Sequence, residues 1–200
     1  MSVTISGTTG ISAIPDDIVT TDKILDAAVT TAKLDSAVLT TYQRREQFPS
    51  EATTSGTIIT FTGIAAWATR VTILFNGVSL SGTDNIKIRA VDSGGIVTAS
   101  YDSASMRNTT ASTYNHVTTA ADSMIVMSAS ATNALTGTYT LTNFEGNTWV
   151  GSGVFTSNTT TMVTAAGIAA GLSGALEGLS IALTGANTFD SGSIALLVEG

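Results

Sequence analysis

The sequence predicts an all-β protein in which an N-terminal anchoring strand and a short repeat stalk precede a C-terminal β-sandwich head, jelly-roll-like and trimeric. Only 12% of the 200 residues are charged, whereas Thr, Ser, Gly and Ala abound. This mixture is typical of short strands joined by many turns. A repeat near the N-terminus adds units that are too small to bury apolar residues by themselves. The predicted domains are an anchoring segment at 1–17, a decapeptide-repeat stalk and neck at 18–50, and the head at 51–200.

The first segment, SVTISGTTGIS at 2–12, has the pattern of a short strand followed by a bend. Val3 and Ile5 alternate with small polar residues, and two glycines follow them. The segment has neither the basic start nor the apolar centre of a signal peptide, which predicts that the chain is not secreted by that route. We expect this strand to attach the chain to another protein.

The stretch 18–41 repeats VTTDKI as VTTAKL ten residues later and then begins a third copy. Its apolar residues recur every five residues, which fits neither the period of about 3.5 of a coiled coil nor the period of about 2 of a strand. Three copies that turn this row toward a common axis would bury it, and a flexible polar linker is the alternative. With Val3 and Ile5, the predicted assembly residues are Val19, Ile24, Val29, Leu34 and Leu39.

The segment 40–50, TTYQRREQFPS, has the densest charge in the chain and contains Pro49. The pattern predicts a short helix or a neck, with the boundary of the head near residues 48–51.

Strand signals follow at short spacing throughout the head. Asn76-Gly77 is typical of a two-residue hairpin turn, and NIKIRAV at 85–91 alternates apolar and basic residues. Residues 165–178 are ambiguous between helix, loop and strand. Roughly nine or ten strands without a periodic helix indicate a sandwich. The predicted strands are 57–61, 70–76, 85–91, 96–101, 124–128, 138–144, 148–155, 179–183 and 193–198.

The head carries no local signature of catalysis. It has no cysteine for a thiolate site and a single histidine, His116, which cannot by itself assemble a usual zinc site. Nucleophile-elbow, phosphate-loop and calcium-loop motifs are absent from the sequence. Asp84, Asp92 and Asp102 lie near predicted turns, and two of them would have to meet closely to hydrolyse a glycan. We predict no enzyme activity, no metal and no cofactor.

Charge and hydropathy exclude two further classes of partner. The net charge is −7, and no basic residue follows Arg107, which leaves phosphate-backbone binding without an electrostatic basis. The most apolar window, 162–183, contains Glu177 and four glycines, a pattern that favours buried strand and loop over a membrane span.

Aromatic residues are the candidate platforms for sugar rings. Tyr101 and Tyr114 border a polar segment at 102–115 and form the predicted ligand surface. Trp67 is a further candidate, whereas the strand-like surroundings of Trp149 favour burial in the core. The basic residues of the head form either an anion-binding patch or a solvated face; they are Arg70, Lys87, Arg89 and Arg107.

The repeat VTTDKI, VTTAKL resembles the D-x-V-T-x-x-K-I/L stalk repeats of bacteriophage tail fibre and virion appendage proteins, and SVTISGTTGIS is similar to their N-terminal leader. RVTILFNGVSLSGTDNIKIRAVDSGGI, GNTWVGSG and NTFDSGSIALLVEG are similar to a β-structured C-terminal domain of phage fibres. The penultimate strand, GLSIALTG at 178–185, is more apolar than the resemblance suggests, which favours a subunit contact there.

The resemblance implies a non-enzymatic, homotrimeric structural protein of the virion, assembled in the host cytoplasm. Its N-terminus would bind another virion protein, and a host surface glycan is a candidate partner of its head. A tail fibre or tail appendage is the first hypothesis, and a capsid decoration protein or head fibre is the second. A polysaccharide-depolymerising spike enzyme is the alternative from another class, against which the length and the missing carboxylate signature argue.

Overall fold

The computed structural model describes residues 44–109, 114–119, 122–128, 130–157 and 161–200. These residues form fourteen strands and no helix, so the all-β prediction is confirmed. They belong to the second of the two units into which the chain divides, after Tyr42. The predicted assembly residues lie outside the described residues; they are Val3, Ile5, Val19, Ile24, Val29, Leu34 and Leu39.

The larger of the two sheets has nine strands, and every neighbouring pair in it is antiparallel. Its strands are β1 (Arg45–Gln47), β2 (Glu51–Ala52), β4 (Arg70–Leu80), β7 (Tyr101–Thr109), β8 (Tyr114–Thr119), β10 (Leu135–Glu145), β11 (Thr148–Ser157), β12 (Thr161–Ala169) and β14 (Phe189–Glu199). Their order is β1-β14-β4-β10-β11-β12-β7-β8, with β2 also beside β14.

The smaller sheet has five strands, which are β3 (Ile58–Thr62), β5 (Ile86–Asp92), β6 (Gly95–Ile96), β9 (Met124–Val126) and β13 (Gly178–Leu183). Their order is β3-β13-β5-β6. On the same side of β5, β9 pairs with residues 86–88 and β6 pairs with residues 91–92. The inner faces of both sheets contribute to one core, in which Phe75 and Phe155 pack edge to face with ring centroids 5.1 Å apart. The two sheets therefore form a sandwich around that core.

Alternation along the strands explains which side chains enter the core. Ile86, Ile88 and Ala90 are buried, as the period of two predicts. Trp149 is also buried, in agreement with its predicted place in the core. Side chains at the intervening positions of β10, β11 and β12 point away from the core and remain at least partly accessible.

The hairpin predicted at Asn76-Gly77 is wrong, because β4 continues through both residues to Leu80. Gly77 has a φ of 63°, the conformation that a turn would also need. Here this conformation accommodates a register shift in the pairing of β4 with β10 and β14. Its N–H group donates a hydrogen bond to Thr136 Oγ1 at 3.0 Å. The apolar residues after Gly77 keep the strand in the core.

The short helix predicted within 40–50 is also wrong for its described part. Residues 45–47 form β1, and Arg44 and Gly200 exchange backbone hydrogen bonds of 3.0 Å in both directions. The N–H group of Phe48 donates to the carbonyl of Leu196 at 2.9 Å. The end of the predicted neck is therefore hydrogen-bonded to the last strand of the head.

Two other segments differ from their sequence-based interpretation. Much of the predicted polar loop at 102–115 is strand β7, while residues 165–178 comprise the end of β12, a loop and the first residue of β13. All six residues of β13 are buried between β3 and β5 of the same chain, so the subunit contact inferred for 178–185 is wrong there. Within the described ranges, no helix has the length and apolar character needed to cross a bilayer.

Candidate functional site

Tyr101 is not the ligand platform that the sequence suggests, because its side chain is only 3% exposed. Its hydroxyl accepts a hydrogen bond from the Ala90 N–H group at 2.9 Å and donates one to the Val97 carbonyl at 3.2 Å. Burial raises the pKa of this phenol above its usual value. Tyr101 thus joins the two sheets from inside. Tyr114 lies in β8 opposite Asn108, and its side chain is outside the description.

Replacing Tyr101 by phenylalanine is therefore expected to destabilise the fold. The substitution leaves the buried Ala90 N–H group without its acceptor, which costs about 1–2 kcal/mol in the free energy of unfolding. Urea denaturation of the wild type and the Tyr101→Phe variant measures this difference. An unchanged midpoint and slope would contradict the buried position of the hydroxyl.

Two of the three carboxylates considered for glycan hydrolysis, Asp84 and Asp92, stabilise loops, whereas Asp102 is exposed on β7. Asp84 and Asp92 flank β5 at opposite ends, about 25 Å apart along an extended strand, whereas a hydrolytic pair needs roughly 5–10 Å. Asp92 accepts hydrogen bonds from Ser173 N–H, Ser173 O–H and Gly94 N–H at 2.7, 2.9 and 2.8 Å. These bonds, led by the one from the Ser173 backbone, lower the pKa of Asp92. The shift is opposite to that of a general acid.

The basic residues do not form one solvated patch. Lys87 Nζ and Arg89 Nη2 lie 2.7 Å and 2.5 Å from the same oxygen of Asp122. Burial alone would raise the pKa of Asp122, but the hydrogen bonds from these two cations outweigh it and lower the pKa to about 2. Arg107 faces the sandwich, where its guanidinium donates to the Ser128 carbonyl at 3.4 Å. Arg70 is left as an exposed cation at the other side of the larger sheet.

A broad surface feature among the described residues is the outer side of β10, β11, β12 and β7. Apart from the exposed carboxylates Glu145 and Asp102 at one end, the residues that point outward there are small polar or apolar and uncharged. We call this surface the neutral face. It consists of Thr136, Thr138, Thr140, Thr142, Val150, Ser152, Val154, Thr156, Met162, Thr164, Ala166, Ile168, Ala104, Met106 and Asn108.

Several apolar side chains of the neutral face are open to solvent. Val154 is 57% exposed, Met162 56% and Met106 43%. A hollow of about 600 Å³ lies over β10 and β11, and a second of about 220 Å³ lies beside Met106 and Ala166 over β7 and β12. The face thus alternates projecting Val and Met side chains with recesses over Gly, Ser and Ala. Such relief can interlock with another protein surface.

Charges appear where the neutral face ends. The ladder register places Arg70 of β4 beyond Thr142 and Asp102 of β7 beyond Ile168. Arg70 also approaches Glu199 at 3.8 Å, and both side chains are substantially exposed. No ion pair joins Asp102 to another described residue. Residues that lie opposite one another on successive strands form a row across the sheet. The row that contains Arg70 and Asp102 is Arg45, Glu199, Arg70, Thr142, Val150, Ile168 and Asp102.

A separate hollow of about 220 Å³ lies beside Trp67, at the end of the sheet where β10 turns into β11. The half-buried indole of Trp67, the amides of Asn143 and Asn147, and Trp149 line it. The guanidinium of Arg44 lies 5.9 Å from the centre of the indole ring. Trp67 and Trp149 both line this hollow, but Trp149 is only 4% exposed, so the half-buried Trp67 is the more accessible of the two rings.

Sequence reasoning did not find the neutral face, although two signals for it are present. TGTYTLTN at 136–143 places threonine at every second position opposite buried Tyr139 and Leu141. Between residues 123 and 176, Glu145 is the one charged residue in the sequence. A strand-rich segment without charge has an outer face without charge, and this could have been derived from the alternation alone.

Comparison with known proteins provides no relative, since no family model, curated protein or solved structure matches the chain.

Proposed function

We propose that this protein is a structural, non-enzymatic subunit of a phage particle, a short homotrimeric tail fibre or tail appendage. The neutral face carries the proposal, because a broad surface without charge suits contact with protein better than contact with water. The repeat at 18–41 supports it, since its apolar row needs neighbouring chains to be buried. The proposal includes a jelly-roll-like head and three chains per fibre.

Each part of the chain has its own role in this proposal. Residues 1–17 bind another virion protein, and the repeat at 18–41 holds three heads together. Identical heads on one stalk gain avidity for a host surface glycan that one shallow site does not supply. The hollow beside Trp67 is the best-supported seat for a sugar ring, because it combines an aromatic ring with amide hydrogen-bonding groups.

A capsid decoration protein or head fibre is the second candidate. The length of the repeat favours it, since about 24 residues span at most about 80 Å even when fully extended. A stalk this short holds its heads close to the particle. The third alternative, a depolymerising spike enzyme, needs two carboxylates roughly 5–10 Å apart, whereas Asp84 and Asp92 lie about 25 Å apart along an extended strand.

Labelling intact particles with an antibody against the head tests the proposal. We expect label at the tail, and particles assembled without this protein are the control. Label over the capsid faces would contradict the tail-fibre proposal and favour a decoration protein. Turnover of host polysaccharide by the purified full chain would contradict the non-enzymatic part.

A further inference from the structure

We propose that the neutral face packs against other copies of this chain around an axis parallel to its strands, and that Arg70 of each protomer pairs with Asp102 of the next. The inference rests on the proposed oligomeric fibre and goes beyond it by naming the contact surface and the charge pair. The occupant of the neutral face is thus a second copy of this chain.

Charge is the first reason for a second copy. The chain has a net charge of −7, so most ways of bringing two copies together juxtapose like charges. The neutral face avoids this cost because none of its outward side chains is charged. Interface centres are depleted of charged residues and enriched in Met relative to other surfaces, and Met106 and Met162 project from this face. Unbranched Met side chains also adapt to hollows such as the two on this surface.

The positions of Arg70 and Asp102 indicate how copies of the chain are related by rotation. They lie in one row of the ladder but on β4 and β7, which are four strand spacings or about 19 Å apart. They are too distant to pair within one protomer. A rotation about an axis parallel to the strands leaves each residue at the same position along that axis, so Arg70 of one copy and Asp102 of the next stay level with each other. Such a rotation brings the Arg70 side of one neutral face to the Asp102 side of the next.

The two sides of the row also have opposite charge. Arg45 and Arg70 flank Glu199 on one side, so that corner has a net positive charge, whereas Asp102 is negative. A contact between the two corners is therefore attractive in every protomer of a ring. Each protomer offers one corner of each sign, so a closed ring leaves neither corner unpaired.

The area of the neutral face indicates how strongly the heads associate. Four strands of about seven residues cover on the order of 450 Å², which is roughly half of what each partner buries in a standard interface. The heads therefore depend on the full chain, including the repeat, to stay together. A test must use the full chain and must report on the geometry of the heads.

Disulfide trapping provides that test, because the natural chain has no cysteine. The full chain carrying both Arg70→Cys and Asp102→Cys is mildly oxidised and run on a denaturing gel without reductant. A separation of about 19 Å excludes a bond within one protomer, since a disulfide needs Cα atoms within about 7 Å. We expect bands at two and three chain masses that reductant collapses to one. Each single variant is the control and should stay at one chain mass.

A charge on the neutral face tests the surface itself. Val154→Glu, added to the double-cysteine chain, should abolish the trapped bands, whereas Phe144→Glu should leave them because the 72% exposed Phe144 lies outside the neutral face. A double-cysteine chain that has the mass of an oligomer but is not trapped would overturn this inference and leave the proposed function standing. A monomeric wild-type chain would overturn both. Trapping that survives Val154→Glu would contradict the role of the neutral face.

Discussion

Replacing Phe155 by alanine is expected to lower the free energy of unfolding by about 3–5 kcal/mol. Phe155 on β11 is 1% exposed and packs edge to face against Phe75 of the same sheet. The substitution removes an aromatic ring from the centre of the sandwich, and the strands around it are fixed by ladders on both sides. The cavity left behind therefore cannot close fully. Urea or thermal unfolding of the full chain measures the loss.

Phe144→Ala is the matched control for Phe155→Ala, because it removes the same side chain from a position that is 72% exposed. It should change the free energy of unfolding by less than about 0.5 kcal/mol, as most surface substitutions do. Equal losses for the two variants would contradict the assignment of inner and outer faces on β10 and β11.

The second large effect concerns Asp122. Lys87 and Arg89 are each 19% exposed at the side chain and share this carboxylate. Asp122→Asn leaves two partly buried cations without an anion, and breaking a buried pair typically costs about 3–5 kcal/mol. Because the side chain of Asp122 is itself 31% exposed, solvent screening lowers our expectation to about 2–3 kcal/mol at neutral pH. Glu145→Gln removes an exposed carboxylate and is the control.

The effect of Asp122→Asn should depend on pH in a defined direction. The pKa of Asp122 is about 2 in the fold and near its ordinary value of about 3.8 in the unfolded chain. Its contribution to stability is therefore complete above about pH 4 and is lost as the pH falls toward 2. The difference in the free energy of unfolding between wild type and variant should therefore become smaller as the pH falls through this window. A gap that stays constant from pH 6 to pH 2 would show that the ion pairs do not stabilise the fold.

Much of the sandwich could be predicted from local alternation. The strand at 85–91 was predicted within one residue at each end, and the burial of Ile86, Ile88 and Ala90 follows from a period of two. Strands at 138–144 and 148–155 were predicted too short, because Thr, Gly and Ser at their ends also occur in turns. Ladder pairing with neighbouring strands extends them to 135–145 and 148–157.

The errors occurred where distant contacts determine the role of a residue. Gly77 has the φ of a turn residue, but apolar residues on both sides keep β4 continuous through an irregularity. Tyr101 follows a polar turn in sequence, which predicts a surface residue, yet partners in β5 and the next loop bury it. The pairing of Asp122 with Lys87 and Arg89 spans more than thirty residues and leaves no local pattern.

In the candidate site, too, some features follow from local alternation and others depend on contacts between distant parts of the chain. Uncharged outer positions follow directly from the sequence once the strands are known, whereas the alignment of Arg70 and Asp102 needs the order of five strands. Strand order depends on connections that no local pattern specifies. The predicted assembly residues between Val3 and Leu39 lie outside the described part of the chain, and their role stays a prediction.

Light scattering over a range of concentrations measures the mass of the purified full chain in solution and so shows directly whether the chain forms an oligomer. We expect a particle of three times the 20.3 kDa of one chain. A species that remains at 20.3 kDa at every concentration would contradict both the oligomeric fibre and the packing of the neutral face.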